Sequence, residues 1–248
     1  MKAVLVATAF LTRIPVRVDA GASDVGRAAR WFPLVGAGLG SMAGLAAWGL
    51  DLAAAPPPLS AWLLVGLGAW VTGALHLDGL ADVADGLGGG KNRDDALRIM
   101  RDPAIGSFGA ITLLVLVGVK VGALTALLER HAAVPVLVAA PALSRWTVVA
   151  LGAWLPYARP EGGLGHAVTR LHDAFGLLFA TSVTAVVAVA ALGIESLILW
   201  TVAVLVMAAL GRTARRRVGG VTGDVFGASV ELTETAVLVG AVLLTGRA

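Results

Sequence analysis

Apolar residues in this chain come in blocks separated by short polar connections, and seven of the blocks approach the roughly 20 residues that a helix needs to cross a bilayer. They are Trp31–Leu50, Leu59–Leu77, Phe108–Leu128, Val134–Leu155, Phe175–Leu192, Leu197–Leu210 and Val225–Leu244. The sixth is short unless it starts near Ile194, and the seventh is interrupted by Glu231 and Glu234. A further run, Ala3–Leu11, is too short to span. Arg13 and Arg17 follow it directly, where an export signal avoids positive charge. It reads as an interfacial helix with its arginines at headgroup depth. The pattern predicts an all-α, polytopic integral membrane protein with about seven transmembrane helices plus an N-terminal interfacial helix. No polar linker divides the blocks, so residues 1–248 are expected to form a single integral membrane domain.

Composition strengthens this reading. Hydrophobic residues make up 58% of the chain and charged ones 14%, against about 25% charged in soluble domains, and mean hydropathy is +0.86. So few charges cannot cover a water-facing surface. Cysteine is absent, which excludes disulfides and thiolate metal sites.

The basic residues also set an orientation. Alternate connections hold Lys2, Arg13, Arg17, Arg27, Arg30, Lys91, Arg93, Arg98, Arg101, Arg159, Arg170, Arg212, Arg215, Arg216 and Arg217, fifteen in all, against Arg130 and Arg247 on the other side. Basic loops stay cytoplasmic, so seven spans start with the N-terminus inside. Asp78, Asp82, Asp85, Asp102 and Asp224 then share the cytoplasmic face.

Chemistry concentrates in HLDGLADVADGLGGG, residues 76–90. If the second span continues as helix past His76, Asp78, Asp82 and Asp85 stand at i, i+4 and i+7 on one face. Like charges so placed are unfavourable unless a cation neutralises them. Hard divalent ions such as Mg²⁺ take carboxylate oxygens and fill their remaining positions with substrate phosphates. A solvated acidic loop is the alternative. GLGGGKNR, residues 86–93, follows at once, and its glycines with Lys91 and Arg93 either cradle a diphosphate or form a plain connection. In ALRIMRDPAIGSFGA, residues 96–110, Arg98 and Arg101 can meet phosphate, and Asp102 can ligate metal or pair with Arg101. His76 is the one histidine beside the acids.

Lys120, Arg145, Glu231 and Glu234 fall inside apolar blocks, where an unpaired charge costs several kcal/mol. Glu231 and Glu234 lie on the same helix as Asp224 and suggest a second acidic face. Gly36, Gly40 and Gly44 repeat every four residues and read as membrane helix packing.

The segments FLTRIPV, WFPLVGAGLG, HLDGLADVADGLGGG, MRDPAIGSFG and VTGDVFGASVELTE occur in the order seen in cobalamin synthases. From about residue 9 to 240 the chain resembles that family, the adenosylcobinamide-GDP ribazoletransferases of bacteria and archaea. The resemblance implies a membrane enzyme that joins adenosylcobinamide-GDP to α-ribazole or its 5′-phosphate and releases GMP, with Mg²⁺ as cofactor. Within those segments, residue type and position suggest catalytic roles for Asp82 and Asp85, the latter as metal ligand or general base. Metal ligands would come from Asp78, Asp82, Asp85, Asp224 and Glu231, and substrate contacts from His76, Lys91, Arg98, Arg101, Asp102 and Arg145. The expected partners are the two substrates and membrane lipid, with no nucleic acid. Self-association and association with other cobalamin-assembly enzymes stay open. The acidic cluster is also similar to that of CDP-alcohol phosphotransferases, but position 82 is Asp where that family's motif has Arg. A cation transporter using Glu231 and Glu234 is the reading from another class.

Overall fold

The computed structural model describes residues 2–163, 165–170 and 174–246; Arg247 of the charge count and His172 lie outside them. The described residues form α1 Lys2–Leu11, α2 Ala22–Ala28, α3 Phe32–Leu52, α4 Pro57–Thr72, α5 Leu75–Gly89, α6 Arg93–Ile99, α7 Ser107–Glu129, α8 Ala133–Trp154, α9 His166–Arg170, α10 Ala174–Leu192, α11 Glu195–Val218 and α12 Gly223–Thr245, with one 3₁₀ turn at Ala29–Trp31. No strand occurs among them.

Six of these helical stretches are long and apolar enough to cross a membrane, with α4 and α5 as a bent pair that brings the total to as many as seven. The protein is therefore a multi-pass membrane protein. Helix α8 forms the centre and is the most buried span. Helix α3 lies on it through the glycine row: a Cβ at Gly36 would fall on the Pro141 carbonyl and one at Gly40 on that of Leu137. The exposed apolar side chains, among them Leu45, Trp48, Trp62, Trp70, Leu114 and Val186, form an outer surface suited to lipid.

Two boundaries differ from the sequence reading. The second block does not run straight to Leu77, because the chain turns by 90° between α4 and α5. Gly73 (φ +63°) and Ala74 (φ +57°) both adopt left-handed backbone there. Glycine suits the first position doubly, since a Cβ would meet the Arg13 side chain at 2.6 Å. Helix α5 consequently runs at a right angle to α4 and packs against α7 and α12. The sixth block is extended at both ends: α11 covers 24 residues, and its last turn carries Arg215, Arg216 and Arg217, where cations complement the helix dipole.

Helix α12 passes through Glu231 and Glu234 without a break, because both acids are paired. Lys120 Nζ of α7 lies 2.6 Å from Glu231 and 3.2 Å from Glu234, and Arg145 of α8 bonds the other Glu234 oxygen. Two cations and two anions thus form a neutral network in mid-bundle, beside a cavity of about 80 Å³ between α3, α4, α7, α8 and α12.

Candidate active site

The basic end of the bundle is organised around α5. At Gly79 this helix touches α12 backbone to backbone: a Cβ there would lie 2.9 Å from the Asp224 carbonyl and 3.0 Å from the Asp224 Cα. Gly227 answers from the other side, with His76 at 3.2 Å from its would-be Cβ. Asp78 and Asp82, one turn apart on α5, are thereby set beside Asp224 at the start of α12. Thr222 caps α12 by accepting the Val225 N–H at 3.2 Å, and its hydroxyl lies 3.2 Å from Asp224 Oδ2.

The three carboxylates feel one another. Asp82 is partly buried, and this burial, followed by the nearby charges of Asp224 and Asp78, pushes its carboxyl up to about 7. Arg159, from the segment after α8, opposes the effect. Its guanidinium lies 2.5 Å from Asp224 Oδ2. Tyr157 of the same segment is half-buried, and burial raises its phenol above the ordinary value.

Asp85 has another task. One of its oxygens accepts the Gly106 N–H at 2.7 Å and the other the Gly109 N–H at 2.8 Å. Two of the four orphan donors at the start of α7 are satisfied by this one carboxylate, and the acid is buried. The expected metal ligand or general base is thus a fixed cap that pins α5 to α7. Small residues make room for it: a Cβ at Gly106 or Gly109 would collide with its oxygens.

The glycines of residues 86–90 serve packing, and the Gly90 N–H is donated to the Gly86 carbonyl at 3.0 Å. Side chains at Gly86, Gly88 and Gly90 would strike Met100, Phe108 and Ala96, so these positions let α6 and α7 close on α5. The cations expected at phosphate are spread out. Lys91 is exposed. Arg98, 69% exposed, pairs with Asp95 at 2.6 Å, and Arg101, 50% exposed, pairs with Glu161. Arg93 binds the Val218 and Ala158 carbonyls at 3.0 and 2.7 Å. Asp102 accepts the Ala104 N–H at 3.0 Å and shapes its own turn.

Glu231 and Arg145 do not join the acidic end. Glu231 is committed to Lys120, and Arg145 to Glu234 and to Ser144 Oγ at 3.0 Å. His76 is buried with its Nδ1 unpartnered. Self-neutralisation of the inner network also removes the ground for a cation transporter, because each acid already has its counter-ion. Arg159, Tyr157 and Thr222 were missed as site residues. Only VTGD pointed near them, since Arg159 and Asp224 are 65 positions apart.

Among the described residues no three His, Asp or Glu side chains converge into a ready-made metal cage. Mg²⁺ does not need one, as it binds through one or two carboxylates plus water and substrate phosphate. Asp78, Asp82 and Asp224 are hard oxygen donors of that kind, and the mutual repulsion at Asp82 is what a cation relieves.

The model of the cobalamin-5-phosphate synthase family matches residues 3–242. A Pseudomonas aeruginosa PAO1 protein named adenosylcobinamide-GDP ribazoletransferase is 42% identical over 242 residues, covering 96% of this chain and 97% of the relative. Relatives of the same name from Stutzerimonas stutzeri A1501 and Sinorhizobium medicae WSM419 are each 40% identical, over 100% of both chains in the first case and over 93% of this chain and 92% of the relative in the second. No solved structure matches.

Proposed function

The chain belongs to the cobalamin-5-phosphate synthase family, and from that premise we propose that it carries out the family's assembly step at the acidic end of its bundle. A hydroxyl of α-ribazole, or of its 5′-phosphate, attacks the cobinamide-linked phosphorus of adenosylcobinamide-GDP. The new P–O bond forms as the diphosphate P–O bond breaks. GMP leaves, and adenosylcobalamin or its 5′-phosphate results. The observation that supports this placement is the α5–α12 contact at Gly79, which gathers Asp78, Asp82 and Asp224 beside the part-buried Arg159.

Asp82, the third carboxylate of the group, would accept the hydroxyl proton. Asp78 and Asp224 would hold Mg²⁺, which when bound neutralises charge developing on the diphosphate oxygens. Asp85 keeps α5 in register on α7 and so fixes where Asp82 stands. The basic loops support a cytoplasmic position for this end, where a soluble nucleotide-linked substrate would reach it.

Release of GMP from adenosylcobinamide-GDP by the purified protein in detergent, dependent on α-ribazole, tests the reading. No GMP with either form of ribazole, in Mg²⁺-containing buffer, overturns it.

A further inference from the structure

We propose that Arg159 is the diphosphate-binding arginine of this site, held on Asp224 until substrate arrives; the proposal rests on the functional reading above. Its backbone is fixed before any ligand binds. Ala158 N–H donates to the Val221 carbonyl at 2.7 Å, and Val221 N–H donates to that of Pro156 at 2.9 Å. Arg93 clasps the same segment from the other side, donating to Ala158 and Val218. Gly220 lets the strands of chain meet, because a Cβ there would fall on the Pro156 carbonyl. Arg159 is therefore presented at the first turn of α12 on a rigid support.

Its side chain is only 14% exposed, yet it is under-used. One terminal nitrogen meets Asp224 at 2.5 Å and reaches the Met100 carbonyl only at 3.5 Å, and the Tyr157 phenol is the guanidinium's other side-chain neighbour. The Nε is buried without a partner. A guanidinium carries five donors in a planar fork that fits two phosphate oxygens at once, and a buried donor left unsatisfied is costly. Other basic side chains of this end are committed or solvated: Arg93 to carbonyls, Arg98 to Asp95, Arg101 to Glu161, with Lys91 exposed. Arg159 is the part-buried cation beside the acids, where the diphosphate would sit. When the diphosphate binds, the fork turns to its oxygens and Asp224 is freed.

Binding measured apart from turnover tests this. Without α-ribazole no product forms, so equilibrium dialysis of adenosylcobinamide-GDP, followed by corrin absorbance, reports affinity alone. In metal-free buffer Arg159→Gln should weaken binding about 10- to 100-fold, the range of a charge-assisted bond, and Arg159→Lys should fall between it and the unaltered protein. Asp224→Asn breaks the same ion pair but frees the arginine, so it should bind at least as tightly as the unaltered protein. A purely structural pair predicts equal losses in Arg159→Gln and Asp224→Asn, and that result overturns the proposal, as does unaltered affinity in folded Arg159→Gln. Should Arg159→Gln fail to fold, Arg159→Lys decides: unaltered affinity there overturns the two-pronged role. If the unaltered protein itself does not retain adenosylcobinamide-GDP, the functional reading falls and the Arg159 role with it.

Discussion

Gly79 of α5 and Asp224 of α12 meet so closely that no side chain fits between them; a Cβ on Gly79 would sit 2.9 Å from the Asp224 carbonyl. That contact joins two acidic segments that lie 145 positions apart in the sequence (224 − 79). Gly79→Ala must push α5 away from α12, and overpacking of this kind costs about 1–3 kcal/mol. The expected outcome is a lowered melting temperature in detergent with GMP release reduced at least tenfold, because Asp78 and Asp82 move relative to Asp224. Unchanged turnover would mean that the two segments do not act together.

Three aspartates that look alike in sequence should behave differently. Asp78→Asn and Asp82→Asn remove charge from the open acidic group, and GMP release should fall by orders of magnitude with little loss of stability. Asp85→Asn should chiefly destabilise. An amide offers one acceptor oxygen in place of two, leaving one of the Gly106 and Gly109 N–H groups unpaired at about 1–3 kcal/mol. Chelation of Mg²⁺ should abolish GMP release in the unaltered protein, and Mg²⁺ should restore it. The pattern is read from activity per folded molecule, with folding followed by thermal melting.

Asp82 also makes a pH prediction. Its carboxyl is raised from 3.8 to about 7 in the folded protein, so the folded state holds the proton more tightly than the unfolded state. The sign is therefore unfavourable at neutral pH: stability is lost as pH rises from about 4 through 7. Asp82→Asn lacks this penalty. In metal-free detergent solution its melting temperature should exceed that of the unaltered protein at pH 8 and converge with it near pH 4. Parallel melting curves across that range would show that Asp82 is not strained by its neighbours.

Orientation is tested with a chain that has no cysteine of its own. Asp94 and Asp51 are both exposed and lie at opposite ends of the bundle. Single cysteines at these positions, treated on intact cells with an impermeant thiol reagent, should label only at position 51. Labelling at 94 would put the acidic end outside.

Much of this architecture was legible because lipid is a strict solvent. It demands apolar helices of a fixed minimum length, and seven blocks advertised them. The i, i+4, i+7 spacing of Asp78, Asp82 and Asp85 also survives, since α5 is helical. What was not legible depends on contacts made at long range. The 90° turn at Gly73 and Ala74 is hidden because glycine is common in membrane helices. The task of Asp85 follows from where the start of α7 happens to approach, and nothing local marks Arg159 as the partner of Asp224. Glu231 misled for a related reason: sharing a helix with Asp224 places it two turns deeper, where its neighbour is Lys120.

That deeper network yields the last prediction. Lys120 and Glu231 are both nearly fully buried, with their charged atoms 2.6 Å apart. Removing one partner of a buried ion pair costs about 3–5 kcal/mol, because a bare charge stays behind. Lys120→Met and Glu231→Gln should each lower the melting temperature sharply. The double variant restores neutrality, since Arg145 still matches Glu234, and should recover most of the loss. If the network only holds α7, α8 and α12 together, GMP release per folded molecule in the double variant should stay within a few-fold of the unaltered protein. A folded double variant with no turnover would return Glu231 or Lys120 to the reaction itself.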